Sequence, residues 1–113
     1  MRVLTEKHFS QQVVDLAKML GWRIYRTWLP IHSPAGFPDL VLLKPPRLII
    51  AELKSEKGQT TPKQDEWLAD LRAATRRQDS CSLPEHVGFE VFLWRPADLE
   101  AIARILGGRD VSG

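Results

Sequence analysis

Hydrophobic and polar positions follow two rhythms along this chain. From Thr5 to about Leu20 the apolar residues recur at helical spacing, with Phe9, Val13, Leu16, Ala17 and Leu20 forming one stripe. Thr5 can cap this helix and Gly21 can stop it. From Trp22 to Trp28 the period shortens to two. Trp22, Ile24, Arg26 and Trp28 then share one face of a strand, with Arg23, Tyr25 and Thr27 on the other. A loop from Leu29 to Gly36 follows, restrained by prolines that continue into Pro38. Two nearly continuous apolar runs, Leu40–Leu43 and Leu48–Leu53, flank Pro45-Pro46. A turn centred on that pair predicts a hairpin with Leu43 opposite Leu48, Val41 opposite Ile50 and Asp39 opposite Glu52. Runs this apolar are expected to be buried on both faces.

Beyond the hairpin, Ser55 to Thr60 is a polar loop. Thr61 at N-cap, Pro62 at N1 and Gln64 at N3 spell a capping box, so a second helix begins there. Trp67, Leu68, Leu71 and Ala74 are its inward stripe. Gln78 to Gly88 reads as a loop and Phe89–Trp94 as a fourth strand. Pro96 opens a last helix with Leu99, Ile102, Ala103, Ile105 and Leu106 at helical spacing. The order α-β-β-β-α-β-α predicts an α/β fold, a mixed sheet of about four strands flanked by helices. The segment from the Glu52 strand to the Phe89 strand is long enough for a parallel, right-handed crossover. Residues 1–106 are expected to form a single domain, and 107–113 a flexible tail.

Composition narrows the classes. Among 113 residues, 43% are hydrophobic and 27% charged, which suits a globular domain. No apolar run approaches the roughly 20 residues of a membrane span. Met1 to Lys7 lacks the apolar core of a signal peptide, which points to an intracellular protein. The lone Cys81 excludes an internal disulfide framework and a cysteine metal cluster. A net charge of +2 permits nucleic-acid binding without requiring it.

The hairpin carries the candidate chemistry. Asp39 and Glu52 would face each other at its open end, with Lys54 on the same strand face as Glu52. Two like charges roughly 5 Å apart at an effective dielectric near 20 repel by roughly 3 kcal/mol. A bound divalent cation would convert that repulsion into attraction. Alternatively, Lys54 simply neutralises Glu52. Glu6, on the Phe9 side of the first helix, is either a first-turn acid favoured by the helix dipole or a third acid near the pair. Gln64 has its cap role and also opens the helix that follows the Glu52-Leu53-Lys54 strand. His32 and Ser33 sit in the loop before Asp39, where contact with substrate phosphate is open to them. Lys57, Lys63, Arg76 and Arg77 lie on or around the second helix, interleaved with acids.

Pro38-Asp39 followed by Glu52-Leu53-Lys54 resembles the Pro-Asp…(Asp/Glu)-x-Lys signature of the restriction-endonuclease-like superfamily. Within it the chain is similar to the VRR-NUC (virus-type replication-repair nuclease) family. The resemblance is carried by Glu6, Gly21-Trp22, Gly36-Phe37-Pro38-Asp39-Leu40, Glu52-Leu53-Lys54 and Thr61-Pro62-Lys63-Gln64 with Trp67, and covers roughly Thr5 to Leu106. The Arg77–Gly88 segment departs from it, being longer than the family's short turn.

The resemblance implies a restriction-endonuclease-like core and a Mg²⁺- or Mn²⁺-dependent phosphodiesterase acting on DNA. Asp39, Glu52, the Leu53 carbonyl and Glu6 would hold the metal. Lys54 would position or deprotonate the attacking water, and Gln64 would orient Lys54, a water or a ligand. The resemblance also implies a homodimer acting on branched DNA, four-way junctions among them, in replication, repair or recombination in a bacterial or phage-infected cell. Trp22, Trp28 and Trp94 are candidates for the dimer surface or for the core. Two other readings compete: a non-catalytic DNA-binding module of the same fold, and a domain in which these residues form a structural ion-pair cluster.

Overall fold

The computed structural model describes residues 5–27, 34–75 and 88–108. The caps form where local chemistry directs them. Helix α1 spans Glu6–Met19, and the Thr5 hydroxyl accepts from the His8 amide. Gly21 follows it with φ +91°, a conformation an L side chain rarely adopts. Lys44 donates to the Leu20 carbonyl at that end of the helix. Strands β1 (Arg23–Arg26), β2 (Leu40–Lys44) and β3 (Arg47–Leu53) come next, then α2 (Pro62–Thr75), β4 (Glu90–Trp94), a 3-10 turn at Pro96–Asp98 and α3 (Leu99–Leu106). The sheet order is β1-β2-β3-β4. β1–β2 and β2–β3 pair antiparallel, and β3–β4 pair parallel. The predicted α/β order and mixed sheet are therefore what the chain adopts. The hairpin register is also the expected one, with Leu43 opposite Leu48 and Val41 opposite Ile50.

That register sorts the side chains onto two faces. Ile24, Leu40, Leu42, Ile49, Ala51, Leu53, Phe92 and Trp94 join Phe9, Val13, Ala17, Ile102 and Leu106 in one apolar cluster, so α1 and α3 cover this face. Glu52 falls on the opposite face, and Gln64 of α2 reaches it there. α2 lies against β4. No helix among the described residues is long and apolar enough to cross a membrane.

Several expectations need correction. β2 is buried on one face only: Val41 is half-buried and Leu43 is 37% exposed, because α2 covers the β4 side of that face. In α2 only Leu68 is buried, and Ala74 is exposed. Trp67 is half-buried and turned towards the loop before β2, where its indole donates to the Ala35 carbonyl. The α1 stripe is wider than read, with Val14 buried too, since α1 meets both the sheet and α3. β1 is shorter than Trp22–Trp28, and Trp28 lies outside the described residues, as do 109–113 of the expected tail. Trp22 and Trp94 are core residues, not surface ones. The Trp22 indole donates to the Leu106 carbonyl at 2.8 Å, and Trp94 stacks on Phe92.

Candidate active site

Asp39 stands just before β2, where the chain leaves the Gly36-Phe37-Pro38 turn. Gly36 has φ +92°, and a Cβ there would lie 2.6–2.8 Å from Lys63 backbone and Cβ atoms. Only glycine allows this loop to sit so close to the start of α2. Phe37 meets Trp67 edge to face, ring centroids 5.0 Å apart. Backbone bonds fix the other side, since the Thr27 amide donates to the Asp39 carbonyl at 2.8 Å. The Asp39 carboxylate crosses the hairpin end, where Oδ2 accepts from the Leu53 amide at 2.8 Å.

Glu52 occupies the next rung of the same register and is 1% exposed. Its Oε2 accepts from Gln64 Nε2 at 3.1 Å and lies 3.6 Å from Lys54 Nζ. Its Oε1 is buried without a hydrogen-bond partner. Burial pushes the Glu52 carboxyl up to about 8, reinforced by the charge of Asp39 and opposed by that of Lys54. Glu6 adds a smaller repulsion. Lys54 is 9% exposed, and its amide donates to the Trp94 carbonyl, which continues the β3–β4 pairing.

Gln64 fills its cap role and also reaches Glu52, a partner other than the Lys54, water or ligand expected of it. Its Oε1 accepts from the Thr61 amide and its amide donates to Thr61 Oγ1, closing the capping box. The other end of its carboxamide holds Glu52. Glu6 is exposed on the first turn of α1 and lines a cleft of about 380 Å³ together with Lys7, Ser10, Arg26, Thr27, Asp39 and Leu53. The structure thus brings Asp39, Glu52, Lys54 and Gln64 together. It sets Glu6 on the wall of the same cleft. Lys57 and Lys63 are exposed, on the loop after Lys54 and the first turn of α2. His32, Ser33, Arg76 and Arg77 lie outside the described residues.

Two residues went unassigned in the sequence reading. Arg26 faces the cleft, and its place on the Ile24 face of β1 was the one available signal. Arg95 donates to the carbonyls of Ser55 and Gly58 at 2.6 and 2.7 Å, and at 3.3 Å to that of Glu56. It thereby ties down the turn that follows Lys54. Nothing local to Arg95 could have revealed this.

The donor chemistry fits a hard divalent cation. Asp39 and Glu52 offer carboxylate oxygens, one of them without a protein partner, and Leu53 lines the cleft beside Asp39. Among the described residues no group of three or more His, Cys, Asp or Glu side chains is assembled as a metal cage. Two carboxylates still suit Mg²⁺, which retains several of its waters.

A family model described as the VRR-NUC domain matches residues 2–82. No curated protein and no solved structure matches the chain. β4 and α3 lie beyond the matched span.

Proposed function

The chain belongs to the VRR-NUC domain family, a nuclease family with DNA as substrate, and from that premise we propose that it is a Mg²⁺- or Mn²⁺-dependent endonuclease that hydrolyses phosphodiester bonds in branched DNA. The observation that carries the reading is Glu52. A fully buried carboxyl with one oxygen unpartnered, next to a second carboxylate, is costly to ionise even with Lys54 beside it, and a bound divalent cation would offset that cost.

Asp39 and Glu52 would hold the ion, with the Leu53 carbonyl as a further oxygen and Glu6 reaching it directly or through water. A divalent cation bound there supplies Lewis acidity, lowering the pKa of a bound water and stabilising charge on the scissile phosphate. Gln64 fixes the Glu52 carboxylate by holding Oε2, which leaves Oε1 directed elsewhere. Lys54, fixed at its backbone by Trp94 and at its ammonium by Glu52, orients the attacking water and offsets phosphate charge. Lys57 and Lys63 extend positive charge along the exposed rim and contact backbone phosphates. His32, Ser33, Arg76 and Arg77 complete that contact set in this reading.

The described residues carry one such site, so cutting both strands of a junction is easier for two chains related by a twofold axis. We take the active form to be a homodimer. The test is incubation of the purified protein with labelled four-way junction, flap, duplex and single-stranded DNA in Mn²⁺ or Mg²⁺. Cleavage of branched substrates is expected, and Lys54→Ala should lower it at least about a hundredfold while DNA binding persists. Binding without cleavage of any substrate in either ion would instead identify a non-catalytic DNA-binding module.

A further inference from the structure

The cleft beside Asp39 also holds two cations, Arg26 and Lys7, that form no ion pair among the described residues. Arg26 is on the core-facing side of β1, opposite Leu40, and is half-buried. Its Nη2 donates to Ser10 Oγ of α1 at 3.1 Å, which holds the guanidinium at the cleft wall. Among the described residues the ion pairs are Arg47–Glu90 and Lys54–Glu52, and none involves Arg26.

Arg47 shows what a structural arginine of this fold looks like. It grips both Glu90 oxygens, donates to the Ile105 carbonyl and lies over the Trp22 ring. Among the described residues Arg26 has one hydroxyl as partner and retains donors of its planar fork. Arg26 lines a cleft of about 380 Å³ that includes Asp39 and Glu6. Lys7 stands on the same wall and adds a second cation. A guanidinium fork matches phosphate oxygens bidentately, which an ammonium does not.

We propose that Arg26, braced by Ser10, binds a phosphate of the DNA strand next to the one that is cut, with Lys7 as the outer cation of the same subsite. The assignment rests on the nuclease reading of Asp39 and Glu52, and it sets the path of the strand between α1 and the open end of the hairpin. It also gives Ser10 a positioning role through Arg26.

The test measures binding apart from chemistry. A fluorescein-labelled four-way junction is titrated with the full chain in EDTA over a series of salt concentrations, and cleavage is followed separately in Mn²⁺. Arg26→Gln should raise Kd about tenfold and flatten the salt dependence by about one phosphate contact. Arg26→Lys should keep the salt slope but recover only part of the affinity, and Ser10→Ala should weaken binding by less than Arg26→Gln. An unchanged Kd and slope in folded Arg26→Gln overturn the proposal. If Arg26→Gln does not fold, Arg26→Lys decides, since wild-type affinity there overturns the bidentate contact. Wild-type cleavage with normal Arg26→Gln binding removes this proposal alone. A wild type that never cleaves, combined with weakened Arg26→Gln binding, removes the nuclease reading and leaves the phosphate contact standing.

Discussion

Glu52 combines three properties that rarely coincide in one side chain. It is 1% exposed, one of its oxygens lacks a partner, and burial together with Asp39 pushes its carboxyl to about 8 from an ordinary value near 4.5. The consequence for stability has a definite sign. Between those two values the folded chain holds a proton that the unfolded chain has released, so rising pH favours unfolding. The stabilisation from the protonated form is complete below about 4.5, declines through neutrality and is gone above about 8. Urea denaturation in EDTA should therefore show a midpoint that falls from pH 5 to pH 8. Glu52→Gln should lose most of that slope and be the more stable protein at pH 8, while cleaving no DNA. Divalent metal should reverse the trend, because it binds the deprotonated carboxylate and stabilises the folded state most where the apo protein is weakest. A midpoint independent of pH in the wild type would show that Glu52 is already ionised and paired, as a purely structural Lys54–Glu52 bridge requires.

Elements hold that residue in place, and they differ in how much their neighbours in sequence reveal. The Thr5 cap, the Thr61–Gln64 box and the hairpin register depend on residues a few positions apart, and all three form as read. The docking of the Gly36 turn on α2 is less local. A Cβ at Gly36 would strike the Lys63 backbone region at 2.6–2.8 Å, and φ +92° is unfavourable for any other residue. Gly36→Ala should cost about 2 kcal/mol and lower the melting temperature by roughly 10 °C. It should also separate Asp39 from the Gln64 end of α2, so residual cleavage at a temperature where the variant is folded should fall more than the folded fraction does. An unchanged melting temperature would mean the turn and α2 are not in contact as described. What the sequence hid lies at longer range. Arg95 reaches back about forty positions to the carbonyls after Lys54, and Arg26 becomes a cleft residue only once α1 brings Ser10 over β1. The burial of Val14 and the exposure of Leu43 likewise depend on which layer covers them, which periodicity does not encode.

At the scale of the molecule, the layers are unequal. α1 and α3 cover one face of the sheet, while on the other α2 lies against β4. Arg23, Tyr25, Val41, Leu43 and Leu48 share the remaining part of that second face. Tyr25 is 60% exposed and Leu43 is 37% exposed, with Val41 and Leu48 half-buried beside them. Trp22 and Trp94 are buried, so for the proposed homodimer this largely apolar strip is the surface to test. It also lies on the edge strand β1, where unpaired backbone groups invite pairing. A twofold contact here would repeat the strip against itself and place two Glu52 sites on one assembly. Light scattering should then give twice the chain mass for the wild type and the chain mass for Tyr25→Glu combined with Leu43→Glu. Far-UV circular dichroism should be unchanged in that variant, since neither side chain belongs to the core cluster. Its expected activity separates assembly from chemistry: a monomer with an intact site should still nick one strand, but should lose paired cutting of a four-way junction. A wild type that sizes as a monomer while cutting both junction strands would remove the need for a second copy, and the exposed strip would then have to be explained by another partner.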